Sequence, residues 1–224
     1  YGFKGKVYKF GAQVDLERFH YDPKNITKRR KELGINYSGE NCFTFVGALS
    51  YRKGIDRIFN LIKNFQEKED YYINIVGPET DYYKDISEKN SQLIEKLIKE
   101  GKLNIVLGKN NKVNDFLMCS NFFLLPTRNE GFGAVLIEAM ASGCIPISSR
   151  IEGVTDDFLN NQNSFHFDFS EKAFFDTFLK ALNLSSTERK KLIKNGLEDV
   201  SNYSLERVSN DYKSMYCEIL NVRN

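Results

Sequence analysis

Two glutamates and two glycines lie close together in the segment RNEGFGAVLIEAMASG, residues 128–143. Glu130 directly precedes Gly131 and Gly133, and Glu138 follows eight positions after Glu130. Glycines allow a backbone turn to approach a ligand closely, because they carry no side chain. A helix that begins after such a turn directs unpaired N–H groups and a partial positive charge outward, where they can bind a phosphate. The segment therefore predicts an anion site with a carboxylate on either side.

The environments predicted for the two glutamates differ. Glu138 lies in a predicted helix whose other residues are small or apolar, so its carboxylate is expected to be buried and to need hydrogen-bond donors. Ribose hydroxyls are suitable donors, and nucleotide sites commonly pair them with a carboxylate. Glu130 has a structural alternative, since a carboxylate at a helix start is stabilising by about 0.3–1 kcal/mol. In that alternative the glycines only shape the turn.

A glycoside hydrolase could use the same two glutamates as its acid and its nucleophile or base. Eight residues of helix rise about 12 Å, whereas the paired carboxylates of hydrolases stand roughly 5–9.5 Å apart. Glu130 is expected just outside the helix, so the spacing argues against hydrolysis without excluding it. Separate roles for the two acids are favoured.

A second polar cluster occurs in VGALSYRKGIDRIF, residues 46–59, where Arg52 and Lys53 precede Gly54 and a predicted helix. Cations at this position could bind a diphosphate. The segment is not a Walker loop, in which the lysine follows the second glycine and a hydroxyl residue comes next. A solvated lysine at a helix start is the alternative interpretation of Lys53.

Short apolar runs alternate with amphipathic stretches along the chain. The runs predict strands at 42–47, 71–77, 103–108, 121–126 and 144–149, and the amphipathic stretches include helices at 54–68 and 86–101. Strands that are apolar on both faces and joined by helices indicate an α/β fold with a doubly wound, mostly parallel, Rossmann-like sheet. Such sheets bind ligands at the carboxyl ends of their strands, where most of the unusual residues fall.

The chain is interpreted as a single domain over 1–224, with a core at about 40–170 and helices at about 170–220. Ser170, Ser186 and Ser204 are the predicted helix starts. The start at Tyr1, without an initiator Met, suggests a piece of a longer protein.

Composition excludes several classes of function. The chain has 32 Lys and Arg against 30 Asp and Glu, a net charge of +2, which gives no general affinity for nucleic acid. No apolar run is long enough to span a membrane. The four cysteines show neither a zinc spacing nor a dense disulfide pattern, so reduced thiols and a cytoplasmic location are expected. No metal is expected, since Asp-x-Asp is absent, and both His20 and His166 are predicted in surface or loop positions.

Five segments, taken in order, resemble the C-terminal half of a glycosyltransferase family 4 enzyme. They are GAQVDLERF (11–19), FVGALSYRKGIDRIF (45–59), INIVGP (73–78), NEGFGAVLIEAMASGCIPI (129–147) and EGVTDDFL (152–159). The most specific feature is the pair Glu130 and Glu138, separated by seven residues. The resemblance covers about residues 10–220.

The resemblance implies a GT-B fold, in which two Rossmann-like domains face each other across a cleft and the second domain binds a nucleotide sugar. This chain would be that second domain, and the N-terminal acceptor domain would lie outside it. The implied reaction transfers a sugar, with retention and without a cofactor or metal, from a UDP- or GDP-linked donor. The acceptor would be a saccharide or a lipid-linked glycan, and the first domain could attach the protein to the inner face of a membrane.

The family's site residues carry over to matching positions. Glu130 would contact hydroxyls of the donor sugar and Lys53 the diphosphate, as the two catalytic candidates. Glu138 would bind the ribose hydroxyls. The other donor-binding candidates are Arg52, Gly131, Phe132, Gly133, Gly47, Gly77, Gly108 and Lys109.

One departure keeps a second class of function open. The family commonly has Arg where this chain has Ala48, so one cation for the diphosphate is absent, and Arg52 is a possible replacement. A non-catalytic nucleotide-binding module, or an inactive homologue, is therefore the alternative to the enzyme. A signalling domain of the response-regulator type is disfavoured, because no acidic cluster follows an early strand.

Overall fold

A computed structural model of the protein describes residues 5–8, 12–65 and 70–220. Within these ranges, strands and helices alternate up to residue 167, and the chain is mainly helical after residue 170. The strands are β1 (Cys42–Val46), β2 (Tyr72–Gly77), β3 (Leu103–Leu107), β4 (Phe122–Leu125), β5 (Ile145–Ser149) and β6 (Phe165–Phe167). The α-helices are α1 (Ile26–Glu32), α2 (Ile55–Phe65), α3 (Asp81–Lys89), α4 (Ser91–Lys99), α5 (Val113–Met118), α6 (Ala134–Ala141), α7 (Glu171–Leu182), α8 (Ser186–Val200) and α9 (Leu205–Ile219).

The six strands described form one parallel sheet in the order β3-β2-β1-β4-β5-β6. Each link between neighbouring parallel strands crosses over through helical or irregular segments, as parallel pairing requires. β1 and β4 are neighbours at the centre, and the chain continues from them in opposite directions along the sheet. The doubly wound, Rossmann-like fold predicted from the alternating pattern is therefore confirmed.

Burial on both faces of the sheet explains the apolar character of the central strands. In β4, Phe122 and Leu124 join one hydrophobic cluster, whereas Phe123 and Leu125 join a second one. All four side chains are fully buried, because successive residues of a strand point to opposite faces. The helices cover both faces, and this is the condition that a parallel sheet requires.

The prediction of one helix over 86–101 is wrong. The structure has two helices, α3 and α4, which meet at Asn90 with non-helical backbone angles. The Asn90 side chain donates a hydrogen bond to the Ile86 carbonyl at 2.7 Å, and this local bond competes with helix continuation. The helix predicted over 54–68 is observed as α2, and residues 66–68 lie outside the described ranges.

Several short elements were not predicted. They are the helices α1 and α5 and the edge strand β6, which pairs with β5 from Ile147–Phe165 to Ser149–Phe167. A three-residue strand or a six-residue helix is too short to show a period in the sequence. Such elements form because the larger sheet offers them a surface to pack on.

The three last helices differ in how they contact the sheet domain. α7 packs on β5 and β6, and α8 packs on α6. Ser170 and Ser204 cap their helices, and α8 begins at the predicted Ser186 with Ser185 as its N-cap. α9 buries only Val208 among its side chains. None of the helices in the described ranges is long and apolar enough to cross a membrane.

Two glycines allow the ends of β1 and β2 to approach each other. Gly77 has φ +155°, and a Cβ at this position would lie 1.9 Å from the carbonyl oxygen of Gly47. A contact this short with backbone cannot be relieved by a rotamer change. Gly47 itself has φ +151°, which also favours glycine.

We expect Gly77→Ala to lower the free energy of unfolding by about 3 kcal/mol or more, because the added methyl group overlaps backbone. Urea denaturation followed by circular dichroism measures this loss. Gly101→Ala is the matched control, since Gly101 has φ +67° but nothing within 4 Å of an added Cβ. The control should lose only about 1 kcal/mol, the cost of a left-handed conformation. Equal losses in both variants would contradict the proposed overlap.

Candidate functional site

The crevice between β1 and β4 lies where the strand order changes direction. In sheets of this type, ligands bind outside the carboxyl ends of the strands at such a switch point. Lys53 follows β1 and Glu130 follows β4, so the loops that carry them flank this crevice. The topology therefore brings together two residues that are 77 positions apart in the sequence.

Lys53 and Glu130 form an ion pair at the crevice. Lys53 Nζ donates to Glu130 Oε2 at 2.5 Å, and each side chain is only 11% exposed. The other carboxylate oxygen accepts a hydrogen bond from the Gly131 backbone N–H at 3.1 Å. The Lys53 side chain passes close to Gly47, where an added Cβ would lie 3.8 Å from Lys53 Cε. The two catalytic candidates thus contact each other directly.

Three predicted glycines form a continuous edge at the ends of β1, β2 and β3. The Gly47 N–H donates to the Val76 carbonyl, and the Gly108 N–H donates to the Gly77 carbonyl, both at 3.0 Å. Lys109 follows Gly108 and is exposed. The glycine edge leaves this part of the rim without bulky side chains beside Lys53.

The turn after β4 combines exposed and buried positions. Gly131 and Phe132 are exposed, with 57% of Phe132 accessible, whereas Gly133 is buried. Gly133 has φ +67° as the N-cap of α6, and an added Cβ would lie 3.0 Å from the Phe158 ring. Both the conformation and the contact favour glycine at this position. α6 therefore begins directly at the crevice.

Arg52 is exposed and its guanidinium points toward the turn after β4. Its Nη1 donates to the Asn129 carbonyl at 3.1 Å. In the other direction, the Arg128 N–H and the Thr127 hydroxyl donate to the Arg52 carbonyl at 2.8 and 3.0 Å. The segments that carry Lys53 and Glu130 are thus hydrogen-bonded to each other through their backbones.

Glu138 is half-buried on α6. Burial raises the pKa of this carboxyl above its ordinary value, and the nearby Arg18 opposes that shift. Arg18 lies 120 positions away in the sequence and was not predicted as a site residue. Only the folded structure brings it near Glu138, because Val14 forms a parallel bridge with Ser204 that holds the 12–20 segment on the domain. Gly11, the first residue of that predicted motif, lies outside the described residues.

His166 is not in a surface or loop position, contrary to the prediction. It lies in β6 with its side chain 4% exposed, and burial lowers its pKa. Its Nε2 is 2.9 Å from Ser164 Oγ, and its Nδ1 is 3.9 Å from Asp156 Oδ1. The prediction failed because β6 was too short to be recognised. In the part of the chain that the structure describes, no three His, Cys, Asp or Glu side chains are grouped as metal ligands.

Residues 25–199 match the family model of the glycosyl transferases group 1. The chain belongs to this family. A group 1 match over these residues includes both loops at the crevice, the whole parallel sheet and helices α1 to α7. The assignment to glycosyltransferase family 4 stays a prediction.

Relatives of this group 1 chain include glycosyltransferases of archaea and bacteria. It is 28% identical over 195 residues to an uncharacterized glycosyltransferase of Methanocaldococcus jannaschii, covering 84% of the chain and 51% of that protein. It is 30% identical over 203 residues to the capsular polysaccharide biosynthesis glycosyltransferase CapH of Staphylococcus aureus, covering 88% of the chain and 51% of that protein. The chain thus spans about half the length of these curated relatives.

Solved structures show the same fold. The C-terminal domain of a group 1 glycosyl transferase from Francisella tularensis matches with a TM-score of 0.72 and 19% identity, over 86% of this chain and 99% of that domain. HepE of Anabaena, solved in complex with UDP, matches with a TM-score of 0.76 and 15% identity, over 94% of this chain and 56% of that protein. The fold is that of the C-terminal domain of a GT-B glycosyltransferase, as the sequence predicts.

The raised pKa of Glu138 gives a testable dependence of stability on pH. The unfolded carboxyl releases its proton near pH 4.5, whereas the folded one retains it to a higher pH. Over that interval the folded state binds more protons, so the free energy of unfolding falls as the pH rises. We expect Glu138→Gln to remove this fall and to be more stable, relative to wild type, at pH 7 than at pH 4.

Urea denaturation at pH 4, 5, 6 and 7 measures the difference between the two proteins. Glu95→Gln, which removes an exposed carboxylate on α4, serves as the control for general charge effects. A stability difference between Glu138→Gln and wild type that is equal at pH 4 and pH 7 would show that the carboxylate is not penalised by burial.

Proposed function

We propose that the full-length protein is a retaining glycosyltransferase of family 4, and that this chain is its single donor-binding domain. The reaction would move a sugar from a nucleotide diphosphate to a hydroxyl of the acceptor. The observation that carries the proposal is the contact between Lys53 and Glu130 beside a glycine turn at the switch point of the sheet. A cation and a hydroxyl-binding carboxylate are the two groups that a nucleotide sugar requires at its diphosphate and its sugar.

Stabilisation of the leaving group dominates the proposed mechanism. The bond between the anomeric carbon and the phosphate oxygen breaks, and the diphosphate gains negative charge. The acceptor oxygen bonds to the same face of the anomeric carbon, and its proton passes to the departing phosphate. Lys53, Arg52 and the start of α6 would stabilise the developing charge. Glu130 would bind hydroxyls of the sugar and Glu138 those of the ribose, so no enzyme nucleophile is required.

The relatives suggest which substrates to test. CapH of Staphylococcus aureus is named for capsular polysaccharide biosynthesis, and TuaC of Bacillus subtilis is named a putative teichuronic acid biosynthesis glycosyltransferase. A saccharide or lipid-linked glycan acceptor is therefore proposed. The UDP complex of the Anabaena neighbour makes UDP-linked sugars the first donors to test, followed by GDP-linked ones. We also propose a cytoplasmic enzyme that needs neither a cofactor nor a metal, with an N-terminal acceptor domain.

Isothermal titration of the domain with UDP, GDP, ADP and their sugars tests the proposal. We expect saturable binding of one nucleotide and of its sugar conjugate, in buffer containing a metal chelator. Binding of a nucleotide without turnover by the full-length protein would instead support the non-catalytic module, which the Ala48 departure keeps open. Binding of none of these nucleotides would reject both.

We expect Lys53→Ala to lower turnover of the full-length protein by about 10²–10³, or about 2.7–4 kcal/mol of barrier, because the departing diphosphate loses its cation. Steady-state assays with the donor identified by titration measure this effect. Lys190→Ala, which removes an exposed lysine on α8, is the matched control. Turnover close to that of wild type would remove Lys53 from the proposed mechanism.

Glu130→Gln should separate binding of the nucleotide from binding of the sugar. A diphosphate must compete with the Glu130 carboxylate for Lys53, so removing that charge should tighten UDP binding by about threefold, or about 0.7 kcal/mol. The nucleotide sugar should gain less, because the carboxylate no longer accepts hydrogen bonds from its hydroxyls. Titrations of wild type and Glu130→Gln with both ligands compare the two effects. Weaker binding of UDP alone would contradict the competition.

A further inference from the structure

Arg128 joins the two loops of the crevice through its side chain. Its guanidinium binds both carboxylate oxygens of Asp56, at 2.8 and 2.6 Å, and Nη1 also donates to the Tyr51 carbonyl at 2.6 Å. The same group stacks over the Tyr51 ring, with Cζ 3.7 Å from the ring centroid. Paired hydrogen bonds between a guanidinium and a carboxylate fix orientation as well as distance.

The contacts of Arg128 lie close in the sequence to the Lys53–Glu130 ion pair. Arg128 is two residues before Glu130, Tyr51 is two residues before Lys53, and Asp56 is in the first turn of α2. The Arg128 side chain is 23% exposed and that of Asp56 is 19% exposed, so this second pair is also shielded from water. The two ion pairs thus join the same two segments of the chain, since Tyr51 and Asp56 lie before and after Lys53 in the sequence.

A close backbone contact joins Gly54, next to Lys53, to Pro126, four residues before Glu130. An added Cβ on Gly54 would be 2.0 Å from the Pro126 carbonyl oxygen, and Arg57 donates to the same oxygen at 3.3 Å. These contacts fix the end of β4, as far as Pro126, against the start of α2. Beyond Pro126 the loop is held by contacts of Thr127 and Arg128 and by the Arg52 bond to the Asn129 carbonyl. Among these, only Arg128 forms a paired bond with a carboxylate, so it is the strongest link between Glu130 and the segment that carries Lys53.

We propose that Arg128 and Asp56 are positioning residues, which hold the loops at the separation that lets Lys53 and Glu130 act on one ligand. The part that concerns a donor rests on the proposed function. Displacement of a catalytic group by about 1 Å is sufficient to lower a rate substantially, so a bidentate clamp beside the pair has a direct functional consequence. Neither residue needs to contact the donor for this role.

If Arg128 had a purely structural role, its substitution would affect stability but not Lys53. Arg29 provides a matched control. Arg29 binds Asp22 at 3.1 Å and Asp115 at 3.0 Å with its side chain 21% exposed, and thereby links the chain near α1 to α5. Its burial resembles that of Arg128, but both of its ion-pair partners belong to segments other than the crevice loops. Arg128→Gln and Arg29→Gln should therefore lower the melting temperature by similar amounts, whereas only the first should disturb Lys53.

Trace acetylation of the folded protein, followed by mass spectrometry, measures how readily the Lys53 amine reacts, and it requires no nucleotide sugar. In wild type we expect Lys53 to react at least about tenfold more slowly than the exposed Lys190, because its ammonium is bound to Glu130. In Arg128→Gln and in Asp56→Asn the Lys53 rate should rise by about threefold or more. Arg128→Lys, which keeps the charge but not the second hydrogen bond, should give an intermediate rate. In Arg29→Gln the rate should equal that of wild type.

An unchanged Lys53 rate in both clamp variants, or an equal rise in Arg29→Gln, would overturn the proposal. A second measurement uses UDP-glucose, or the nucleotide sugar that binds wild type most tightly in the titration panel. We expect Arg128→Gln to bind it about tenfold more weakly and Arg29→Gln to bind it as wild type does. If wild type binds no nucleotide, the proposed function fails, while the acetylation result still decides whether the clamp positions Lys53. Equal affinity in all three proteins would overturn the link between the clamp and the donor.

Discussion

The close approach of the loops after β1 and β4 is the constraint on which the site depends. The two strands are neighbours at the centre of the sheet, and the chain leaves them in opposite directions, so a crevice opens between their loops. The loops are nevertheless joined by the backbone bond from the Arg128 N–H to the Arg52 carbonyl. Gly54 also approaches the Pro126 carbonyl oxygen, which is possible because glycine has no Cβ. A cation from one loop and a carboxylate from the other therefore meet within hydrogen-bond distance.

Charged groups held away from water lose hydration. Lys53 and Glu130 are both shielded from water, and in such pairs the loss of hydration commonly offsets the mutual attraction. Glu138 is penalised more directly, since burial raises its pKa and no described hydrogen bond satisfies its carboxylate. Apolar residues at these positions would be expected to stabilise the domain. The presence of Lys53, Glu130 and Glu138 in shielded positions is easier to explain by ligand binding than by folding, and this supports the proposed function.

The sequence predicted the sheet well because a buried parallel strand needs apolar residues on both faces, and this leaves a continuous run such as FFLL in β4. It also selected Lys53, Glu130 and Glu138 as candidates, since the glycines of their turns and the spacing of the two acids can be recognised locally. It failed where a local side-chain bond or a contact between distant segments determines the structure. Asn90 ends a helix through its own side chain, His166 is buried by pairing with β5, and Arg18 approaches Glu138 only because Val14 bridges to Ser204. Arg128 and Asp56 look like ordinary surface charges until the fold brings their loops together.

The number of cations near the proposed diphosphate position limits how the site can work. Ala48 supplies no charge, and the Arg52 guanidinium is exposed and donates to the Asn129 carbonyl. The amides of Gly47 and Gly108 are already bonded to strand carbonyls, so the glycine edge offers space and little positive potential. Among the candidate cations, Arg52 and Lys109 are exposed, whereas Lys53 is shielded from water and paired with Glu130. Binding of a diphosphate would exchange one anionic partner of Lys53 for another, which makes affinity depend on how firmly the loops keep Glu130 within reach. The same exchange would release the Glu130 carboxylate for the sugar hydroxyls. The Lys53 side chain would thus couple recognition of the phosphate to recognition of the sugar.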